Sequence, residues 1–378
     1  MPRSAAAAPR GLAVTVEGAP EAAEWDALLG EARPGHPHYG RHVIDAHRAA
    51  GLLPEGLRFV AVRRGGFLAA LLPFVRNRDL SGLGGHVALP WTSPFVTATA
   101  PLVALGGGEE VHDALVAGLA LGSGNRPWRW PSLAVEEGTG AAMRAAMGRA
   151  GWTLGAATTF GRPVLDRRAS HDAFLAGHPN GRRLKDLRRR GRRLGEIGAV
   201  AHVAATEGPD LRDLIEAFLG LEQSGWKGRA GTAMACRPDH AALARTLFAP
   251  GPGPVRGRAD ALTLGGRPIA ISLALVAGGT ATLLKTAYDE ALRAHAPGLL
   301  LEAEIVRAFH AEAFAQRLDS ATSAGSALES LYPDRQAVSA MIALPPGAGK
   351  ALSLERRLRL VRFEDRAREA ARSALRRG

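Results

Sequence analysis

The stretch Leu283-Leu284-Lys285-Thr286-Ala287-Tyr288-Asp289 ends an apolar run with an amine, a phenol and a carboxylate within five residues. Such a trio can move protons. Tyr288 can protonate a leaving group as a general acid, or its ring can cap the edge of a sheet. Asp289 can act as a base or orient a substrate, and equally suits a strand-end turn. Lys285 is costly in an apolar strand unless it is paired or faces a cleft, so it reads as a site residue or as a charge that protects a sheet edge. After a short loop, a helix opens at Pro297-Gly298-Leu299-Leu300. Proline suits the first turn, where the amide it lacks would be unpaired anyway. The amides of Gly298, Leu299 and Leu300 are then expected to be free, and with the helix dipole behind them to hold phosphate groups.

Other candidates lie further off. Trp226 and Lys227 follow a helix-period segment and precede a glycine-rich stretch. They line an acceptor pocket, or the tryptophan closes the core beside a solvated lysine. Asp319, ending a short strand, and Glu329 are carboxylates for the acceptor side. The run Arg182–Arg193 carries eight basic groups and one acid. Leu184, Leu187, Leu194 and Ile197 give it an apolar stripe, so its arginines occupy an outer face. Such a face is ordinarily solvated or acid-paired; an anionic substrate or tRNA is the functional reading.

The elements that must position these residues can be read from pattern. Leu57–Arg64 and Phe67–Val75 are strands joined by Gly65-Gly66, and Ala259–Leu264 and Pro268–Val276 are strands joined by Gly265-Gly266. Paired glycines between β-type runs are a hairpin signal. The two hairpins recur at an offset of 200 residues within a similar order of helices and strands, which points to an internal duplication. With 378 residues, two domains are expected: residues 1–163, residues 164–346, and an arginine-rich terminal helix over 347–378. The fold class is α/β (α+β), each half a mixed, mostly antiparallel sheet flanked by helices.

Composition narrows the classes. The chain is 46% apolar and 22% charged, as globular proteins are. Its one cysteine, Cys236, cannot form an internal disulfide or a cysteine-based zinc site, and no HExxH occurs, so no metal is expected. The net charge is +12, of which residues 1–160 contribute +1 and residues 161–378 contribute +11. The second half is therefore expected to meet an anionic partner, for which a nucleotide cofactor suffices. The amino terminus lacks the apolar core of a secretory signal. The uncharged run 268–284 is interrupted by Gly278-Gly279 and reads as a hairpin. A soluble, cytoplasmic protein is expected. Gly347-Ala348-Gly349-Lys350 lacks the first glycine and the Ser/Thr of a phosphate loop.

Strand, loop and phosphate-binding helix start together resemble the acetyl-CoA element of GNAT acyltransferases. Trp226-Lys227-Gly228-Arg229-Ala230-Gly231-Thr232, the Lys285…Tyr288-Asp289 cluster, Pro297-Gly298-Leu299-Leu300 and Leu318-Asp319-Ser320 look more narrowly like the CelD-type branch. That branch is associated with cellulose and exopolysaccharide biosynthesis and is related to the FemAB aminoacyltransferases. The resemblance implies two tandem GNAT-like domains and acetyl-CoA or a longer acyl-CoA as donor. It also implies Arg293 and residues 297–300 as the cofactor-binding segment, since Arg293-Ala-His295-Ala-Pro297-Gly298 stands where the family carries Arg/Gln-x-x-Gly-x-Gly/Ala. The implied reaction is acyl transfer to an amine or hydroxyl, on a saccharide or cell-envelope precursor. A FemAB-like transferase using aminoacyl-tRNA and a non-catalytic binding module of the same fold are the alternatives.

Overall fold

Local sequence signals set most element boundaries. In chain order the elements are β1 (Leu12–Glu17), α1 (Ala22–Glu31), α2 (Arg41–Ala49), β2 (Arg58–Arg64), β3 (Phe67–Arg78), β4 (His86–Pro90), β5 (Leu102–Val103), α3 (Gly108–Ser123), β6 (Trp128–Ala134), α4 (Gly138–Arg149) and β7 (Thr153–Asp166). There follow α5 (His171–Ala176), α6 (Gly181–Gly195), β8 (Val200–Ala205), α7 (Gly208–Ser224), α8 (Trp226–Arg229), α9 (Pro238–Leu247), β9 (Arg256–Leu264), β10 (Arg267–Ala277), β11 (Thr280–Tyr288), α10 (Pro297–Glu312), β12 (Arg317–Asp319), β13 (Asp334–Leu344) and α11 (Leu354–Leu375). The computed structural model describes residues 11–32, 35–82, 85–348 and 352–375. The amino-terminal residues 1–10 and the glycine–lysine pair 349–350 lie outside them.

Caps start several helices. Glu21 accepts from the amides of Ala23 and Glu24 while the Glu24 side chain accepts from the Glu21 amide, a reciprocal box that opens α1. Ser170 and Asn180 cap α5 and α6 by accepting from Ala173 and Arg183. Gly65-Gly66, Gly265-Gly266 and Gly278-Gly279 all lie at positive φ, as two-residue hairpin turns matched to strand twist require.

The chain divides into two compact units that are not consecutive halves. Residues 1–33, 54–161 and 336–378 form unit 1, and residues 34–53 and 162–335 form unit 2. Helix α2 therefore belongs with unit 2, where the His42 imidazole Nε2 lies 3.0 Å from the Leu247 carbonyl oxygen. Strand β13, late in the chain, pairs with β6 in unit 1. Residues 164–166 of β7 pair with β12 in unit 2.

Unit 1 orders its strands β1-β2-β3-β4-β6-β13, and unit 2 orders β8-β9-β10-β11-β12 beside the end of β7. In each, antiparallel strands lead to a helical crossover that returns to a parallel neighbour, β4 to β6 through α3 and β11 to β12 through α10. A crossover helix between parallel strands is the standard solution for that connection. The hairpin repeat thus marks two copies of one topology. The fold is mixed α/β, with mostly antiparallel sheets in both units.

Four features escape local pattern. Strand β4 lies in a Gly/Pro-rich stretch and is too short to show alternation. Strand β7 runs on for fourteen residues to Asp166, where its last three residues pair with β12. Trp226–Arg229 is a helical turn, and Glu290–His295 coils into a 3-10 turn in what reads as loop. The terminal helix α11 packs in unit 1, with Leu354, Leu358 and Val361 against Ala157, Ile342 and Leu344. Its Glu364 binds Arg129 at 2.6 Å, and the buried Arg357 guanidinium donates to the Ser81 carbonyl. Among the described residues no helix is long and apolar enough to cross a membrane, and no three His, Cys, Asp or Glu side chains converge as a metal site.

Candidate active site

Strand β11 is the frame of the site. It pairs along its length with β10, but its parallel pairing with β12 covers only Thr280–Thr282 against Arg317–Asp319. Beyond that point the strands part, and among the described residues β11 keeps a strand partner on one edge alone. At the same place the register slips: Leu273 faces Lys285 and Ala274 faces Leu283, so Leu284 is the extra residue of a bulge. A bulge re-aims the side chains that follow it. Thr286 and Tyr288 then lie toward α10, where a Cβ added to Gly298 would sit 3.4 Å from Tyr288 Cδ1 and 4.0 Å from Thr286 Cγ2. The phenol is therefore seated against the first turn of α10, and Tyr288 is 42% exposed.

That first turn differs from expectation. Leu299 and Leu300 both donate to the Ala296 carbonyl at 3.0 Å, because the three-residue and four-residue bonds of the opening turn converge on it. Of the three amides, only that of Gly298 has no acceptor among the described residues. Ala296 caps the helix in the left-handed region at φ 52°, a conformation glycine adopts more readily. The Leu300 side chain is buried in the core.

Across the cleft from Tyr288 stands the end of α7. Leu221, Glu222, Gly225, Trp226, Lys227 and Glu290 line it together with residues 286–288 of β11. Glu222 is the centre of this wall. Buried at 4% exposure, its carboxylate accepts from Lys227 Nζ at 2.7 Å and from the Met234 amide at 2.7 Å. A buried carboxylate needs such partners. Lys285 is near enough to feel both groups: burial pushes its pKa below the usual lysine range, Lys227 lowers it further, and Glu222 opposes them. Glu290 accepts from the Trp226 amide and from Arg229 at 2.7 Å each, which tethers α8 to the turn after β11. Those bonds hold its carboxyl below the usual range, the Arg229 contact most strongly.

The fold thus brings Trp226 and Lys227 to the cleft of Tyr288, with Lys285 coupled to the same carboxylate and Gly298 in contact with the phenol. Asp289 caps the 3-10 turn through the Ala291 amide and meets Arg267 Nη2 at 3.0 Å, so both its oxygens are engaged. Arg293 is exposed at the end of that turn. Asp319 stands at the point where the strands part but is buried, bound to Arg162 and the Ala321 amide. Glu329 accepts from the Gly325 amide in its own loop. Neither lines the cleft. Glu222, Glu290 and Thr286 were not among the sequence candidates. Glu222 carried a signal, since it falls four residues after Phe218 on the apolar stripe of α7.

Residues 181–324, less than half of the chain, match the profile described as an acetyltransferase (GNAT) domain. Strand β11, helix α10 and the wall from α7 all fall inside that span. The fold is similar to the crystal structure of FemX, with TM-score 0.56, 10% identity, and 89% of this chain and 99% of that one covered. It is also similar to L-PGS from Bacillus licheniformis, with TM-score 0.50, 14% identity, and coverage of 90% and 96%. A conserved protein of unknown function from Bacteroides thetaiotaomicron aligns with TM-score 0.53 and 11% identity over 86% of this chain and 97% of that one. At these identities the likeness is one of fold. No curated protein sequence matches the chain.

Proposed function

We propose that this protein transfers an acyl group from acetyl-CoA or a longer acyl-CoA to an amine or hydroxyl acceptor. The observation that carries the reading is the parting of β11 from β12 with Tyr288 set against the start of α10. A thioester carrier laid in that opening would have its diphosphate beside the Gly298 amide and the helix dipole, with Arg293 at the exposed rim. Its carbonyl would lie along the unpaired edge of β11, whose main-chain amides can hold an oxyanion.

In the step itself, the acceptor nitrogen or oxygen bonds to the thioester carbon and the carbon–sulfur bond breaks. Tyr288 gives its proton to the leaving thiolate. Lys285, whose depressed pKa leaves more of it neutral than an ordinary lysine, takes the acceptor's proton. Trp226 and Lys227 form the acceptor wall, and Asp289 is a positioning residue that sets the turn carrying Tyr288. Asp319 and Glu329 hold the loop that follows β12, on the acceptor side. The CelD-like order of these motifs favours a saccharide or cell-envelope acceptor.

Calorimetric titration with acetyl-CoA, octanoyl-CoA and palmitoyl-CoA, followed by a thiol-release assay against amino sugars and sugar hydroxyls, tests the proposal. Saturable binding with acceptor-dependent thiol release is expected; absence of binding to all three donors would overturn it. A second reading, aminoacyl-tRNA as donor, draws on the exposed Arg182, Lys185, Arg188, Arg192 and Arg193 of α6. It requires tRNA binding that is tight at low salt and weakens steeply as salt rises.

A further inference from the structure

Unit 2 contains a second opening, away from the cleft of Tyr288. A cavity of about 330 Å³ lies beneath α6, bounded also by α10, α5 and the start of β8. That volume is within the range of small-molecule sites, roughly 300–1,000 Å³. Its floor is apolar, with Leu184, Leu187, Leu262 and Val306 among the lining side chains. Two small residues keep it open. Gly191 stands inside α6, where glycine costs about 0.5–1 kcal/mol relative to alanine, and Ala303 lines the cavity from α10. A Cβ at Gly191 would meet only Leu300 Cδ2, at 3.7 Å, so neither space nor backbone conformation demands glycine there. Leu175 and Val200, at the mouth, are 36% and 37% exposed.

The rim has the opposite character. Arg188, Arg192 and Arg307 line it against a single carboxylate, Glu304, which Arg307 already holds at 2.8 Å. Arg188 and Arg192 are four residues apart on α6 and so lie on one helix face. The one acid of α6, Asp186, is occupied by Arg189 at 2.6 Å and Arg190 at 2.8 Å. Two guanidinium groups therefore overhang an apolar cavity without a carboxylate of their own helix. Like charges at that spacing repel, and a guanidinium pair is suited to a planar carboxylate.

We infer that this cavity binds a fatty-acid anion, its alkyl chain between α6 and α10 and its carboxylate between Arg188 and Arg192. The charge complementarity of the rim and the exposed leucine and valine at the mouth select an occupant with a negative head and an apolar tail. The site is independent of the acyl-transfer reading.

Laurate binding to the full chain, followed by calorimetry, is the test, with dodecyl phosphate, dodecyltrimethylammonium and methyl laurate as comparison ligands. Laurate is expected to bind saturably at one site and at least tenfold more tightly than the cationic or uncharged analogue. Gly191→Leu, which fills the cavity, and Arg188→Ala with Arg192→Ala should each weaken laurate at least tenfold with unchanged thermal melting of the free protein. Arg182→Ala with Arg193→Ala, off the rim, should leave it unchanged. Tighter binding of the phosphate than of laurate, equal binding of the cation, no saturation, indifference to Gly191→Leu, or an equal loss in the off-rim pair would each overturn the inference.

Discussion

The two units repeat one topology around two different interiors. In unit 1 the core is aromatic: Trp128 and Trp130 stack at 4.9 Å, Phe74 lies 5.3 Å from Trp128, and the Trp128 indole donates to the Leu119 carbonyl. Its crossover helix α3 buries no charged side chain and opens with Glu109 and Glu110 in the first turn. In unit 2 the corresponding helix α10 opens with Pro297-Gly298 and buries Glu302 and His310. Below it, Asp260 binds Arg258 and His202, and Tyr332 donates to Glu302. An acidic helix start repels phosphate groups, whereas a neutral one with a free amide receives them. Buried charge is expensive to keep. Unit 1 keeps buried charge as well, Arg129 and Arg357 beside its terminal helix, but none on its crossover helix. The two copies therefore differ at the crossover helix, one packed without charged side chains and one with a carboxyl and an imidazole in its core.

Four expectations can break that contrast. The largest effect should come from Trp128→Ala, which removes the centre of the aromatic core and should cost about 3–5 kcal/mol in denaturant unfolding. Acyl-CoA affinity of the remaining folded protein should not move; a parallel loss of affinity would show that unit 1 holds ligand too. Tyr288→Phe keeps the ring against α10 and removes only the proton. It should lower kcat about 100-fold, about 2.7 kcal/mol, with donor Kd within twofold. A changed Kd with intact kcat would make Tyr288 a packing residue.

The third concerns Glu302, whose pKa burial raises to about 8, the Tyr332 hydrogen bond opposing. The unfolded chain releases that proton near 4.5 and the folded chain retains it to about 8, so more protons are bound in the folded state between those values. Stability should fall as pH rises from about 5 to 8. Glu302→Gln keeps an acceptor for Tyr332 and should remove ~2 kcal/mol of that fall over about 1.5 pH units between pH 6 and 7.5, measured by urea melts at several pH values. An unchanged slope would place the titrating group elsewhere. The smallest effect should follow from Gly298→Glu with Leu299→Glu, which transfers the acidic opening of α3 onto α10. Acetyl-CoA should bind about tenfold more weakly, about 1.4 kcal/mol. Unaltered binding would remove α10 from the donor site.

Much of the fold could be read locally. The GlyGly hairpins, the proline opening of α10 and the stripe of α7 follow from steric and periodic preferences among near neighbours. Strand β4 could not be read, because five residues ending in proline carry neither alternation nor a turn of their own. Trp226, Lys227, Lys285 and Tyr288 stood out singly by type and setting, but nothing local said they would meet. Glu222 and Glu302 were hidden for the same reason: a carboxylate on an apolar stripe is noticed only when its distant partner, Lys227 or Tyr332, is known.

The sequence by itself determined most of the elements, the hairpin repeat and the concentration of positive charge after residue 160. Only the tertiary structure decided that residues 34–53 join unit 2, that β13 joins unit 1, and that β11 bulges at Leu284 where it leaves β12. Those outcomes depend on pairings across tens to hundreds of residues, and no single segment stores the free energy that selects them.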